Sequence, residues 1–391
     1  MKRAPAGSTA LPTAPYVLFR DDTTGSVTLF TEPEDIIFAH EPDEFPVALE
    51  RMQQARDDGK YLAGYMSYEA GYLFEKKLAP LADVKRDVPL LCFGVFTSPS
   101  GDIAEPPAAL MPVDDFLSDI KPAWTLAQYR EQFGKLHQHL RQGDCYQANL
   151  TMPIHARWHG DALTAFWSLI ERQPVKYGAL IDLCGPVILS RSPELFFSVK
   201  DGWIETHPMK GTIRRGTSPA EDAALIASML QDEKTLAENR MIVDLLRNDI
   251  SRITQVGTLD VPRLFEIETY PTVHQMVSHI SARLLPDLSI ADIFAALFPC
   301  GSITGAPKMR AMEILSDLET APRNAYCGAI GIISPAGDMR FSVAIRTITL
   351  FETGAATFNV GGGIVFDSTA DTEYEECLLK AKFATGERRL E

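Results

Sequence analysis

One lysine stands where chemistry is possible. The stretch THPMKGTIRRG, residues 206–216, places Lys210 between a methionine and a glycine, just past a predicted returning strand. A lysine attacks carbon only as a neutral amine. From an ordinary pKa of ~10.4, holding that amine neutral at pH 7 costs about 4.6 kcal/mol, so its surroundings must lower its pKa. The residues alone leave three roles open: a surface charge, an anion ligand or a nucleophile.

A carboxylate on a predicted helix faces the wrong way for a solvated charge. Glu238 precedes three apolar residues at i+3, i+4 and i+7, which are Met241, Ile242 and Leu245. It therefore lies on the apolar stripe, where an ionised group is costly unless it is paired or metal-bound. The alternative is that Glu238 lies at the edge of the stripe and reaches water or Arg240.

The last predicted helix repeats this anomaly. Glu373, Glu376 and Lys380 share one face with Leu379 and Phe383. Glu376 and Lys380 would also make an ordinary exposed i,i+4 pair, worth ~0.2 to 0.5 kcal/mol. Inward glutamates on two helices would instead form a hard-oxygen site of the kind that suits Mg²⁺.

Two glycine-containing segments could contact a ligand through backbone groups rather than side chains. In GSITGAPK, residues 301–308, glycines and hydroxyls precede Pro307 at a predicted helix start, where free N–H groups favour an anion. It is not a Walker A loop, and an ordinary tight turn is the alternative. The triple glycine 361–363 ends a strand, which permits close approach of a ligand or simply a bulge.

A further candidate is Arg346 in the segment MRFSVAIRTITLF. The alternation predicts a strand in which Arg346 shares a face with Ser342 and Ala344, whose small side chains leave room. A guanidinium there can bind a carboxylate through two hydrogen bonds, and a cross-strand ion pair is the alternative.

The elements that must position these residues are of mixed type. The pattern predicts a hairpin over 16–31, a helix over 126–142, a hairpin turning at Asp201 and Gly202, and an antiparallel meander from about 325 to 368. Capping boxes are predicted at Ser218 with Glu221 and at Thr372 with Glu375. Because strands and helices come in separate blocks, the fold class is α+β.

Composition excludes some classes of function. The 391 residues carry a net charge of -15 and no long basic run, which argues against a nucleic-acid partner. Scattered cysteines without a secretory leader indicate the cytoplasm, and no apolar stretch is long enough to span a membrane. A Pro- and Asp-rich stretch between about 98 and 116 is the best candidate for a domain boundary.

Seven segments together resemble one family. In order and spacing, the chain is similar to chorismate-utilising enzymes, which include the anthranilate, isochorismate and salicylate synthases and the enzymes that make 4-amino-4-deoxychorismate. The segments are RSPELFF, PMKGT, AENRMIVDLLRND, GSITGAPKMRAMEIL, YCGAIGI, AIRT and GGGIVFDS with EYEECLLKAK. The resemblance covers roughly residues 120–385, and GYMSYEAGYLFE at 64–75 resembles the N-terminal part of the amine-transferring members.

The resemblance implies an interwoven fold of two large antiparallel sheets packed as a sandwich with flanking helices. Residues 1–115 would form an N-terminal β-rich region packing on the core, and 120–385 a chorismate-binding catalytic region. It implies Mg²⁺ held by Glu238 and Glu376, with Glu373 beside them. The residues expected to contact chorismate are Thr212, Gly301, Thr304, Gly305, Tyr326, Arg346, Gly361, Gly362, Gly363 and Lys380.

Two positions separate the members of the family. Members that add water carry a lysine base where this sequence has Gln147. Anthranilate synthases carry a motif similar to PIAGT where this sequence has PMKGT. The resemblance therefore implies amination at carbon 4, with Lys210 as covalent nucleophile, Glu194 as general acid and Gln147 as a further catalytic residue. Anthranilate synthesis is the nearest alternative, and a catalytically silent chorismate-binding subunit is the second.

Two further expectations follow from the resemblance. Members often carry a histidine in an HLVS motif, where this chain has Gln275, with His274 one residue earlier. Since a one-residue offset on a strand reverses the face, His274 is only a candidate catalytic residue. No glutaminase segment is visible, so ammonia is expected from a separate glutamine amidotransferase subunit serving p-aminobenzoate and folate synthesis.

Overall fold

The computed structural model describes residues 12–101, 116–270 and 273–388. The strands within these ranges are numbered along the chain as β1 Tyr16–Asp21, β2 Ser26–Thr31, β3 Asp35–Ala39, β4 Tyr61–Met66, β5 Leu91–Phe96, β6 Leu117–Pro122, β7 Gln147–Trp158, β8 Tyr177–Asp182, β9 Val187–Ser192, β10 Leu195–Lys200, β11 Trp203–Thr206, β12 Met209–Arg214, β13 Asp260–Thr269, β14 Val273–Arg283, β15 Gly305–Ala306, β16 Ala329–Ile333, β17 Met339–Val343, β18 Thr347–Leu350 and β19 Ala355–Val365.

The helices within the same ranges are α1 Phe45–Asp57, α2 Ala70–Leu73, α3 Leu126–Gln142, α4 Ala162–Arg172, α5 Pro219–Gln231, α6 Glu233–Ser251, α7 Ile290–Leu297, α8 Lys308–Leu318 and α9 Ala370–Thr385. Short 3-10 turns lie at Ala79–Ala82 and Gly301–Ile303. None of the described helices is long and apolar enough to cross a membrane.

The described strands form two antiparallel sheets. The first has nine strands in the order β15, β7, β19, β18, β9, β8, β1, β2, with β6 paired to β7. The second has ten in the order β12, β14, β11, β10, β17, β16, β4, β5, β3, with β13 paired to β14. The predicted α+β class with two large antiparallel sheets is confirmed.

The two sheets pack face to face with helices outside. Apolar residues of β1 and β9 meet those of β4 and β16 in one buried cluster between the sheets. Helices α3, α4, α8 and α9 cover the nine-stranded sheet, while α1, α6 and α7 cover the other. Strands before residue 100 pair with later ones, β1 with β8 and β4 with β16. The domain boundary stays a prediction, since 102–115 lie outside the described residues.

Local signals place several helices as expected. The helix predicted over 126–142 is α3, which has a capping box between Thr125 and Gln128 and ends at Gly143 in the left-handed region at φ 79°. Ser218 caps α5 by accepting from the N–H of Glu221. The Glu221 carboxylate instead accepts bonds from Thr217, so only half of that predicted box forms.

Two predictions of local structure are wrong. Helix α9 starts at Ala370 behind Thr369, two residues before the predicted cap at Thr372, and the Thr369 side chain makes no capping bond. The expected meander is divided, because β16 and β17 lie in one sheet while β18 and β19 lie in the other. The chain passes from one sheet to the other after Val343, and the candidate site residue Arg346 lies in that crossing.

Candidate active site

Lys210 lies within β12, at one edge of the ten-stranded sheet, rather than just after a strand as the sequence predicts. The backbone there is tied to α6, because the Asn239 amide donates to the Lys210 carbonyl at 3.2 Å and its oxygen accepts from Ser278 at 2.7 Å. Helix α6 also carries Glu238. The nucleophile candidate and one candidate metal ligand are therefore fixed relative to each other.

The Lys210 amine faces the other sheet. A methyl group built on Gly363 of β19 would lie 3.1 Å from Lys210 Nζ and 3.0 Å from Gln147 Nε2 of β7. Three residues distant in sequence thus converge where the β12 edge of the ten-stranded sheet approaches β7 and β19 of the other sheet. Burial lowers the pKa of Lys210, and Lys380 lowers it further, against the opposing effect of nearby glutamates.

Gln147 is fully buried at the start of β7. Among the described residues, neither its amide nitrogen nor its amide oxygen has a hydrogen-bond partner. A buried amide is costly to leave unsatisfied and is normally bonded to protein, water or ligand. Since Gln147 points toward the space beside Lys210, its amide is available to a bound molecule.

Glu194 lies in the tight link between β9 and β10, where its side chain is buried. The Ser302 hydroxyl donates to Glu194 Oε1 at 2.7 Å. Burial raises the pKa of Glu194 to about 7, against the lowering effects of Ser302, Lys210 and Arg346. A carboxylic acid with this pKa can give up a proton near neutral pH, as a general acid must.

Arg346 is not in a strand, which corrects the prediction. It lies in the link between β17 and β18, where the chain crosses from one sheet to the other, with its backbone at φ 51°. The crossing places a strained residue at the junction of the sheets, which alternation along a strand cannot reveal. Burial lowers the pKa of Arg346, and the Glu194 carboxylate opposes that effect.

The carboxylates of α9 lie near the lysines. Lys380 Nζ is 2.7 Å from Glu376 Oε1 and donates to the Gly361 carbonyl at 2.8 Å, so the predicted i,i+4 pair forms. Burial raises the pKa of Glu376, but Lys380 outweighs it and the net pKa is below the ordinary value. Burial and the charge of Glu376 raise the pKa of Glu373, against its bond from Ser368 at 2.6 Å.

Glu238 and Glu376, with Glu373 beside them, are the residues expected to hold Mg²⁺. Glu238 is half-buried on α6, and both Glu238 and Glu376 act electrostatically on Lys210. No group of three or more acidic, histidine or cysteine side chains in the described residues is already arranged to hold a metal. The donors are nonetheless the hard carboxylate oxygens that Mg²⁺ takes, and Mg²⁺ needs only one or two of them.

The three glycines of β19 face different neighbours. A methyl group on Gly362 would lie 2.9 Å from Glu373 Oε2, whereas Gly363 faces Lys210 and Gln147. A methyl group on Gly361 would lie 2.5 Å from the Leu150 carbonyl in β7. Side chains at these positions would fill the site or push the strands apart.

The GSITGAPK segment closes another side of the site. Gly301–Ile303 form a 3-10 turn, and the buried Thr304 hydroxyl donates to the carbonyls of Cys300 and Gly301 at 3.1 and 3.2 Å. Gly305 begins β15, which pairs with β7. The Lys308 amine is bound to Asp249 of α6 at 2.6 Å, so this lysine anchors the segment instead of facing the site.

The other predicted residues lie further out. Both ring nitrogens of the buried His274 are engaged, 2.9 Å from an oxygen of Asp222 and 2.9 Å from the Thr269 hydroxyl. The Thr212 hydroxyl donates to Gln275, which lies opposite it in β14. Tyr326 is buried in the turn before β16, where burial raises its pKa. The geometry gives His274 structural partners.

Residues that the sequence analysis did not single out also contribute. Ser302 donates a hydrogen bond to Glu194. The signal that could have identified it is its hydroxyl between the glycines of the GSITG motif. Arg323 and Glu319 form a buried pair at 2.7 Å beneath that segment. Their i,i+4 spacing was a visible signal, yet such pairs usually lie on exposed helix faces.

Comparisons with known proteins identify the family. The family described as chorismate binding enzyme matches residues 14–386. Aminodeoxychorismate synthase component 1 of Escherichia coli is 44% identical over 271 residues, covering 69% of this chain and 60% of that protein. The protein of the same name from Klebsiella aerogenes is 38% identical over 339 residues, covering 81% and 74% respectively.

A solved structure extends the likeness to the fold. Anthranilate synthase component I from Streptococcus pneumoniae superposes with a TM-score of 0.76 at 27% identity, covering 98% of this chain and 94% of that one. The resemblance read from the seven sequence segments is therefore confirmed, and the chain belongs to the chorismate-binding enzyme family.

Proposed function

We propose that this chain aminates chorismate at carbon 4, yielding 4-amino-4-deoxychorismate, as the chorismate component of an aminodeoxychorismate synthase. Relatives with that name at 38% and 44% identity support the proposal. The observation that carries it is Lys210, whose amine faces Gln147 and Gly363 in a setting that lowers its pKa. A neutral amine is the nucleophile that this reaction requires, and burial shifts Lys210 toward that state.

The proposed first step uses Lys210 and Glu194. The neutral Lys210 amine attacks carbon 2, both ring double bonds shift, and the hydroxyl on carbon 4 leaves. Glu194, with a pKa of about 7, donates its proton to that hydroxyl, which departs as water. This step first gives a secondary ammonium joining Lys210 to the ring, which becomes a secondary amine by returning one proton to the ionised Glu194.

In the proposed second step, ammonia attacks carbon 4, both double bonds shift back, and the bond between carbon 2 and Lys210 breaks. The departing amine takes up the proton that the new nitrogen on carbon 4 releases, so the lysine returns to its starting state. The net change is loss of water and gain of ammonia. Gln147 is proposed to orient the incoming nitrogen, because its buried amide has a free donor and a free acceptor among the described residues.

The remaining residues are proposed to hold the substrate. Arg346, Lys380 and Tyr326 would bind its carboxylates and enolpyruvyl group together with the backbones of 301–305 and 361–363. Mg²⁺ would be held by Glu238 and Glu376, with Glu373 beside them, and when bound it would neutralise a substrate carboxylate. His274, with both ring nitrogens engaged, is proposed only to support β14.

Ammonia is proposed to come from a separate glutamine amidotransferase subunit, since the similar proteins are named as component 1. The cytoplasm stays a prediction. Anthranilate synthesis is the second candidate because of the structural similarity to an anthranilate synthase. The presence of Lys210 in place of an apolar residue favours carbon 4.

A product assay tests the proposal. The chain is incubated with chorismate, Mg²⁺ and ammonium. Products are separated by liquid chromatography and detected by fluorescence and mass spectrometry. We expect 4-amino-4-deoxychorismate, which yields p-aminobenzoate only after an added lyase. Fluorescent anthranilate as the main product without lyase would establish the second candidate, and intact chorismate would indicate a silent subunit.

A further inference from the structure

A buried arginine joins two walls of the site. Arg323, between α8 and β16, is only 2% exposed. Its Nη1 donates to the Ile303 carbonyl at 3.0 Å, and its Nη2 donates to the Asn149 carbonyl at 2.7 Å. Ile303 belongs to the GSITG loop, residues 301–305, and Asn149 to β7, two residues beyond Gln147. One rigid guanidinium thus bonds to both the loop and the strand, beside the direct backbone bond from the Asn149 N–H to the Thr304 carbonyl at 2.9 Å.

The charge of Arg323 is fully matched where it lies. Glu319 accepts from Nε at 2.8 Å and from Nη2 at 2.7 Å, and its Oε1 also accepts two bonds from Thr151 of β7, each at 3.0 Å. The guanidinium carbon lies 4.3 Å from the Tyr68 ring centroid. Lysine cannot reproduce this planar fork, because it offers one point charge in place of several fixed donors.

The loop that Arg323 holds is the one that contacts Glu194. Ser302 immediately precedes Ile303 and donates to Glu194 Oε1 at 2.7 Å. A hydrogen bond of this length is lost when its partners separate beyond about 3.5 Å. Release of the Ile303 carbonyl would therefore let the Ser302 hydroxyl leave Glu194.

We propose that Arg323 is a positioning residue that holds the GSITG loop against β7 so that Ser302 donates its hydrogen bond to Glu194. This inference rests on the proposed function, in which Glu194 is the general acid. Arg323 itself touches neither the carboxylate nor the proposed nucleophile, so it acts through Ile303 and Ser302.

The consequence of losing this hydrogen bond is a change in the pH range over which Glu194 is protonated. Besides Ser302, the groups that act on it are Lys210 from β12, Arg346 from the sheet crossing and the nearby Cys300 thiol. Ser302, Lys210 and Arg346 favour the ionised carboxylate, whereas burial favours the protonated form. A general acid must be protonated, so activity falls as pH rises through its pKa. Loss of the Ser302 bond therefore moves that fall to higher pH.

The test is a double-mutant cycle read as pH profiles. We expect Ser302→Ala and Arg323→Lys each to move the alkaline limb of kcat/KM upward by about one pH unit, the size expected for one hydrogen bond to a charged group. The double variant should match Ser302→Ala alone, since both changes remove the same bond. Arg191→Lys is the matched control, because Arg191 is equally buried but bonds to Asp22 and the Gln173 carbonyl.

Several outcomes overturn the inference. If Arg323→Lys lowers Tm and rate but leaves the alkaline limb in place, as expected for Arg191→Lys, Arg323 is merely structural. If the shifts of the two variants add, they act on different bonds. Should Arg323→Lys fail to fold, Glu319→Gln keeps the shape of the pair and should give a smaller shift of the same sign.

A second readout separates this inference from the proposed function. Carbon-13 NMR of chain labelled at glutamate carboxyls, assigned with Glu194→Gln, follows the titration of Glu194 without turnover. An upward shift in Arg323→Lys supports the positioning role even if no amination of chorismate is detected. An unchanged titration in a chain that does aminate chorismate leaves the proposed function intact and refutes the positioning role.

Discussion

Gly363→Ala is the sharpest perturbation that the site offers. Its new methyl group would lie 3.0 Å from Gln147 Nε2 and 3.1 Å from Lys210 Nζ, whereas ordinary contacts begin at 3.4 Å. Both atoms are ends of side chains, so each can move away by about 0.3 to 0.4 Å without moving the backbone. We therefore expect a folded protein in which the proposed nucleophile and the ammonia-orienting amide are displaced.

The size of the effect follows from that displacement. A misplacement of 1 Å can cost about 10²-fold in rate, so a shift of roughly a third of that should lower kcat about fivefold. The added methyl group also takes up room beside the substrate, which raises KM. Stability should change little, because no backbone atom is among the three that the methyl group approaches most closely.

Gly361→Ala is the matched control in the same strand. There the methyl group would lie 2.5 Å from the Leu150 carbonyl and 3.0 Å from the Thr151 Cα, so β7 and β19 must separate. Forced overpacking of this kind costs about 1 to 3 kcal/mol. The same added atom two residues away is thus expected to lower the free energy of unfolding measurably.

Denaturant unfolding and initial rates of 4-amino-4-deoxychorismate formation measure both effects. We expect Gly363→Ala to keep the unfolding free energy and lose rate, and Gly361→Ala to lose unfolding free energy. A wild-type kcat and KM in Gly363→Ala would refute the reasoning, because it would mean that Lys210 and Gln147 do not work where the structure places them.

Three more predictions concern single groups. Lys210→Ala should abolish any covalent adduct seen by intact mass after incubation with chorismate and Mg²⁺; an adduct that persists would assign the nucleophile elsewhere. Glu376→Gln should raise the Mg²⁺ concentration for half-maximal rate at least about tenfold, and an unchanged value would remove this residue from the metal site. Burial, with His279 beside it, lowers the pKa of His207 to about 4. Since the folded pKa lies below the unfolded 6.5, stability present above pH 6.5 should be lost as pH falls toward 4, by up to about 3 kcal/mol, and His207→Asn should flatten that loss in urea unfolding.

Much of the fold could be predicted because its signals are local. Helix α3 lies at the predicted residues because Thr125 and Gly143 mark its ends in sequence, and the hairpin of β10 and β11 turns at Asp201 and Gly202, both at positive φ. The division of the last meander between two sheets could not be predicted. Alternation reports which residues share a face, but not which sheet a strand joins.

The site shows the same limit. Glu238 was recognisable because a carboxylate on an apolar stripe is a local anomaly, and it lies half-buried on α6. Arg346 was misassigned to a strand because the crossing between sheets leaves no local signal. The convergence of Lys210, Gln147 and Gly363 depends on the approach of the β12 edge of one sheet to two strands of the other, which only the family resemblance implied.

The two lysines of the candidate site have different surroundings, which fit the different roles proposed for them. The Lys380 amine donates to a carboxylate of Glu376 and a carbonyl of Gly361, so two of its hydrogens are committed to acceptors. The Lys210 amine faces an amide and a glycine, and burial lowers its pKa. Exchanging their roles would require Lys210 to gain an acceptor and Lys380 to lose two. Under the proposed function, the surroundings of each side chain, more than its identity, therefore decide which lysine is expected to attack the ring and which one to hold it.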